Sequence, residues 1–237
     1  MGCRNALYLI LIFAMVTFSM SGTALAELVD DFESYAIGYI PPNWSVYQGV
    51  WEILEDFDGN RVLCFNDADT WGAIRYDLGN TWTNYAVRVD ANLEYTLFGS
   101  YFAIGGRLNS IGGGYWLRRS LEADGTIELC RAADYSEPSS KSLGWYPLPV
   151  DGKRHTFVLD FQGSDIRAYV DGVKRIEATD STYSFGSIGL KSDIGCLTQF
   201  DNLYGEQATV PEPSSFVMFS GGFLAAAGIL RRRALRR

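Results

Sequence analysis

Histidine is nearly missing from this chain: His155 is the only one. A lone histidine with no evident nucleophile or orienting acid nearby argues against triad-type hydrolysis, which needs all three groups. Cysteine is scarce as well. Its four copies include no close C-x-x-C pair, so a structural zinc site is excluded. A phosphate-cradling loop is absent too, because Gly112-Gly113-Gly114 precedes a strand-like run instead of opening a helix. Helical periodicity is rare along the whole chain. What the sequence has instead is period-two alternation between two distinctive ends.

The N-terminal end reads as a secretory signal. Arg4 gives the positive start, residues 6–20 are almost unbroken apolar, and Ala24-Leu25-Ala26 supplies the small residues a signal peptidase needs. Residues 1–26 are the expected signal peptide, with Glu27 as the mature start. An uncleaved N-terminal membrane helix is the alternative. Cys3 precedes the apolar run, so it is misplaced for lipoprotein processing and leaves with the signal.

The C-terminal end has three parts. Val210-Pro211-Glu212-Pro213-Ser214 opens it, an uncharged apolar stretch of 17 residues follows over 214–230, and Arg231, Arg232, Arg233, Arg236 and Arg237 close it. At 1.5 Å per residue the stretch is roughly 25 Å long as a helix, the short end of what spans a bilayer. The arginines stay cytoplasmic and leave the body on the far side. Pro211 and Pro213 hold the backbone extended and withhold donors, which suits a protease's grip. A plain membrane anchor has the same apolar and basic features.

Basic residues are few once the ends are set aside. The signal takes Arg4 and the tail takes five arginines and Glu212, leaving residues 27–209 with 14 basic against 27 acidic side chains. That net of −13 excludes charge-driven binding to nucleic acid or an anionic membrane. It suits solubility outside a cell, or divalent cations. The 183 residues are enough for one domain with a proper core. Cys64, Cys130 and Cys196 stand 66 residues apart. An oxidising compartment permits one internal pair and one leftover thiol, and buried, unbonded cysteines are equally consistent.

Residues 85–94 alternate apolar and polar, the mark of a half-buried strand. Residues 73–78 do the same, with Ile74, Tyr76 and Leu78 on one face. Further strands are expected over 61–66, 100–104, 115–121, 126–131, 156–161 and 166–170. Asp58-Gly59, Asp124-Gly125, Asp151-Gly152 and Asp171-Gly172 read as hairpin turns, and residues 136–142 as a loop. Short strands with such punctuation indicate an all-β sandwich or barrel.

Two resemblances add to this. The order Val210-Pro211-Glu212-Pro213-Ser214, apolar stretch and arginine cluster resembles a PEP-CTERM sorting signal over residues 210–237. That implies a short transmembrane helix at 214–230, recognition and cleavage by an exosortase, and delivery to the envelope or an extracellular matrix. The body, with Asp30-Asp31-Phe32-Glu33, Pro42-Asn43-Trp44 and Gly49-Val50-Trp51-Glu52 at its start, resembles a concanavalin A-like (laminin-G-like) jelly roll. Ala168-Tyr169-Val170-Asp171-Gly172, Gly186-Ser187-Ile188-Gly189-Leu190 and Phe200-Asp201-Asn202-Leu203 resemble its closing strands. The resemblance implies two packed antiparallel sheets with the first and last strands adjacent. It also implies structural calcium clipping those strands, with Asp30, Asp31 and Asp201 as carboxylate donors of the hard-oxygen kind calcium takes.

Two constellations bear on function. Glu122, Asp124 and Glu128 nearly match the signature of laminarinase-type glycosidases, which share this sandwich class. Retaining hydrolysis needs two carboxyls about 5–5.5 Å apart on one face. The Asp124-Gly125 turn works against that by separating Glu122 from Glu128, so the reading leans away from an enzyme. Tryptophan is the stronger signal. Sugars lay their C–H faces on aromatic rings while polar groups read the hydroxyls. Trp71, Trp116 and the pair Trp145-Tyr146 are the expected platforms for an extracellular polysaccharide. A structural surface protein without a small ligand is the competing expectation.

Overall fold

The computed structural model describes residues 27–67, 69–95, 100–120, 125–136, 140–194 and 197–207. The expected signal peptide, the sorting motif with its helix at 214–230, Glu122, Asp124 and Cys196 lie outside them. Among the described residues no helix is long and apolar enough to cross a membrane.

Fifteen strands follow in chain order: β1 (Glu27–Asp30), β2 (Trp44–Gln48), β3 (Trp51–Glu55), β4 (Arg61–Phe65), β5 (Gly72–Tyr76), β6 (Tyr85–Tyr95), β7 (Tyr101–Leu108), β8 (Gly114–Ser120), β9 (Thr126–Ala132), β10 (Lys141–Pro147), β11 (His155–Gln162), β12 (Asp165–Val170), β13 (Val173–Thr179), β14 (Ser187–Ser192) and β15 (Leu197–Gln207). They form two antiparallel sheets packed as a jelly-roll sandwich. The first runs β13-β12-β11-β6-β15-β4-β3, with β1 also on β15. The second runs β10-β9-β8-β7-β14-β5-β2. β4 pairs with residues 198–200 of β15 and β1 with residues 203–205, so the two lie end to end along its free side. The first and last strands are neighbours, as the sequence implied.

Alternation decides which side chains face inward. Tyr85, Val87, Val89 and Ala91 of β6 are all buried, and so are Phe157, Leu159 and Phe161 of β11. From the second sheet come Phe102, Ile104, Leu117, Ile127, Leu129 and Leu190. Phe102 meets Phe157 edge to face at 5.3 Å and Phe200 at 5.8 Å, tying the sheets together. Edge-on ring pairs add about 1 kcal/mol each beyond the area they bury.

Asp171 and Gly172 join β12 to β13 with φ of 51° and 75°, the two left-handed positions of a tight hairpin. Asp151-Gly152 is different. It lies between β10 of the second sheet and β11 of the first, so it marks a crossover and not a hairpin. Two further expectations are corrected. Residues 141–142 belong to β10, not to a loop. Leu78 is exposed because β5 ends at Tyr76, before the alternation reaches it. Cys64 and Cys130 are both buried, on different sheets, and are not bonded to each other.

Candidate functional site

The outer face of the second sheet is built in rows. One row crosses all seven strands by direct cross-strand pairing: Gln48, Ala73, Lys191, Ala103, Arg118, Glu128 and Trp145. Their neighbours Ile74, Leu190, Ile104, Leu117 and Leu129 fill the core, so period two turns this row outward. The next row is Ser45, Arg75, Gly189, Gly105, Trp116, Cys130 and Ser142.

Trp116 holds down the middle. Its indole lies over Gly105, where any side chain would collide with it, and its edge reaches Gly189, where a Cβ would collide with Leu108 and the Ile74 carbonyl. Its Nε1 donates to the Gly112 carbonyl at 3.1 Å. Tyr135 closes over it, with ring centres 5.9 Å apart, and Tyr47 packs on Tyr135 at 4.5 Å. Trp116 is therefore 3% exposed, and Tyr135 covers the side that would meet a sugar.

Flanking this plug are more exposed aromatics around Lys191, which is itself only 8% exposed. Tyr47, 52% exposed, stacks on half-buried Trp71 at 6.0 Å. The Lys191 ammonium sits 4.9 Å from the Trp71 ring centre and 5.5 Å from that of Tyr101, and donates to the Tyr135 carbonyl at 2.7 Å. Burial pushes its pKa down to about 8, with the Arg118 charge adding to the effect. The Arg118 guanidinium lies 5.3 Å from the Tyr101 ring centre, and Glu128 is 3.9 Å away. Arg75 borders a cleft of about 430 Å³ with Asn80, Asn109, Thr182 and exposed Phe185.

The remaining expected site residues are scattered. Trp145 is 67% exposed at the end of the outward row. Tyr146, next along the edge strand, turns to the opposite side, where the Arg175 guanidinium lies 4.8 Å from its ring centre. Trp145 and Tyr146 cannot make one platform, because adjacent strand residues point to opposite faces. His155 is held between Asp171 at 2.7 Å and Asp151 at 2.9 Å, away from the row.

The three carboxylates expected to hold calcium are engaged elsewhere. Asp30 accepts from the Phe32 N–H, the Tyr35 hydroxyl and Trp44 Nε1 at 3.0–3.3 Å. Burial raises its pKa, and these bonds only partly offset that. Asp201 accepts from Asn60 at 2.8 Å, Arg154 at 2.9 Å and Asn202. Asp31 caps the Glu33 N–H. Among the described residues no cluster of three or more His, Cys, Asp or Glu could hold a metal. A calcium shell takes six to eight oxygens, and among the described residues these three carboxylates do not gather into one cluster.

Sequence reasoning named Trp71 and Trp145, which lie on this face, and did not name Lys191, Tyr101, Tyr47 or Arg75. The alternation of Ile188 and Leu190 would have turned Lys191 outward; its neighbours there depend on pairing.

No protein-family model matches the chain, and no curated protein matches it. Solved structures do. The carbohydrate-binding module CBM66 from Bacillus subtilis superposes with a TM-score of 0.57 at 18% identity, over 70% of this chain and 96% of that one. A Bacteroides ovatus GH16 protein of a mixed-linkage glucan locus gives 0.50 at 13%, over 74% and 97%. The exoplasmic/lumenal domain of VIP36, in a Ca²⁺/mannose-bound form, gives 0.57 at 9%, over 78% and 91%. At these identities the likeness establishes a galectin- and concanavalin-like β-sandwich.

Proposed function

We propose that this chain is an exported, non-catalytic carbohydrate-binding β-sandwich that serves in the cell envelope or extracellular matrix. The observation that carries the reading is the outward row ending in Trp145, with Trp71, Tyr47 and Tyr101 beside it. Aromatic faces interleaved with polar and charged groups are what a sugar chain needs. The folds of a carbohydrate-binding module and a mannose-bound lectin support it. Purified protein on a glycan array and in polysaccharide pull-downs tests it. Trp71→Ala and Trp145→Ala should each weaken retention, and no retained glycan would sink the reading.

Export and sorting rest on the sequence of the two ends. They predict a mature chain starting at Glu27 and ending near Pro211, outside the inner membrane, after handling by signal peptidase and exosortase. Intact mass of the fractionated protein decides this. Calcium enters through the Ca²⁺-bound neighbours, with Asp30, Asp31 and Asp201 as the carboxylates the resemblance offers. A melting temperature higher in calcium than in chelator supports it, and equal values remove it.

The structural-protein reading has one observation in its favour: Trp44, Trp51 and Trp116 are core residues. For hydrolysis, Glu128 is the one acid of the outward row and it faces Arg118, not a second carboxylate.

A further inference from the structure

Two cations share one row of the outward face although the body is strongly acidic. Lys191 and Arg118 occupy the same row two strands apart, about 10 Å. Ala103 between them is fully buried beneath Trp71, Tyr101 and their neighbours. Tyr101 has the Lys191 ammonium on its ring at 5.5 Å and the Arg118 guanidinium at 5.3 Å. Trp71 borders Lys191 on the other side. The charges are poorly matched from within. Arg118 has Glu128 at 3.9 Å, too long for a hydrogen bond. Among the described residues Lys191 has a single hydrogen bond, to a neutral carbonyl, and no carboxylate in salt-bridge reach. Burying an ammonium without a counter-charge is costly, and cation–ring contacts recover only part of it.

We infer that the Trp71, Lys191, Tyr101 and Arg118 strip binds an anionic polysaccharide, whose acidic groups meet the two cations while its sugar faces lie on the two rings. This rests on the carbohydrate-binding reading and names the ligand class of that site. The net charge of −13 on residues 27–209 repels polyanions in general, so retention of one must come from a local site.

The test uses the purified protein in affinity gels holding polygalacturonate (carboxylated), dextran sulfate (sulfated) or dextran (neutral). Retardation by one or both acidic polymers, and not by dextran, is the expected result, and the pair identifies the acidic group. Arg118→Gln and Lys191→Met should each weaken that retention about tenfold, the scale of one hydrogen bond to a charged group. Lys153→Gln, on a 75% exposed side chain outside the strip, should leave it unchanged. Arg118 is partly exposed, so its variant tests the site even if the Lys191 variant fails to fold. Retention by dextran alone overturns the inference and leaves the carbohydrate reading standing. No retention by any glycan overturns both. Acidic retention that survives Arg118→Gln overturns the location.

Discussion

The Arg107 guanidinium lies 4.9 Å from the centre of the Phe161 ring, inside the sandwich and 1% exposed. Its charge is met by carbonyls: two bonds to Thr83 at 2.8 and 3.1 Å and one to Tyr183 at 3.1 Å. The side chain turns inward because β7 bulges against β14 between Gly105 and Leu108, and Arg107 takes a φ of 52° there. Arg107→Met should cost about 2–4 kcal/mol in urea unfolding, because it strands buried carbonyls. Phe161→Leu keeps those bonds and should cost less than Arg107→Met. An equal loss would assign the effect to packing.

His155 predicts a pH dependence of stability. Burial alone would lower its pKa, but the Asp171 and Asp151 carboxylates outweigh burial and raise it. A raised folded-state pKa gives a contribution complete below the unfolded value of about 6.5 and lost as pH rises through the folded value. The urea midpoint should fall as pH rises above about 6.5. Lys153 and Arg119 also lie near Asp151, and burial lowers the Arg119 pKa only to about 10, well above that of a histidine. His155→Gln should flatten the slope and Asp171→Asn should reduce it; an unchanged slope in both variants removes His155 as its source.

Gly112 separates two costs. Its φ is +83°, and a Cβ there would enter the Tyr135 ring. Gly152 has a φ of +70° with nothing within 4 Å. Gly152→Ala should therefore cost about 1 kcal/mol, from left-handed backbone strain alone. Gly112→Ala should cost more, about 2–4 kcal/mol, because it also drives Tyr135 off Trp116. Equal unfolding free energies would mean that the Tyr135 loop yields without resistance.

The same physics explains what was legible in the sequence. β6 was plain because both of its faces meet consistent surroundings along its length. β13 was not: Ile176 is its single fully buried side chain, so an edge strand shows almost no alternation. β10 carries Gly144 and Pro147, follows a serine-rich stretch and buries little, so its start read as loop. Asp151-Gly152 showed a turn correctly, but which sheet the chain enters next is not a local property. At the site, Trp71 was visible as a large aromatic among polar residues. Lys191 carried no distinguishing signal in the sequence; strand pairing places it between Ala73 and Ala103.

Lys191 also sets the pH at which acidic glycan binding should fail. Burial first, then the Arg118 charge, push its pKa down to about 8, while Asp193, Cys130 and Asp134 pull the other way. The rings of Trp71 and Tyr101 and the carbonyl of Tyr135 complete its surroundings. Arginine guanidinium groups in general are charged throughout this range. Retention by polygalacturonate or dextran sulfate should therefore drop as pH passes about 8 without vanishing. The ligand-free protein should move oppositely. A lysine whose folded-state pKa lies below its unfolded value binds fewer protons when folded, so its contribution to stability rises with pH above about 8. Falling retention with rising stability is a pairing that general alkaline unfolding cannot produce. Lys191→Met should remove both trends, and retention that stays flat to pH 10 in the unmodified protein would show that its ammonium does not meet the ligand.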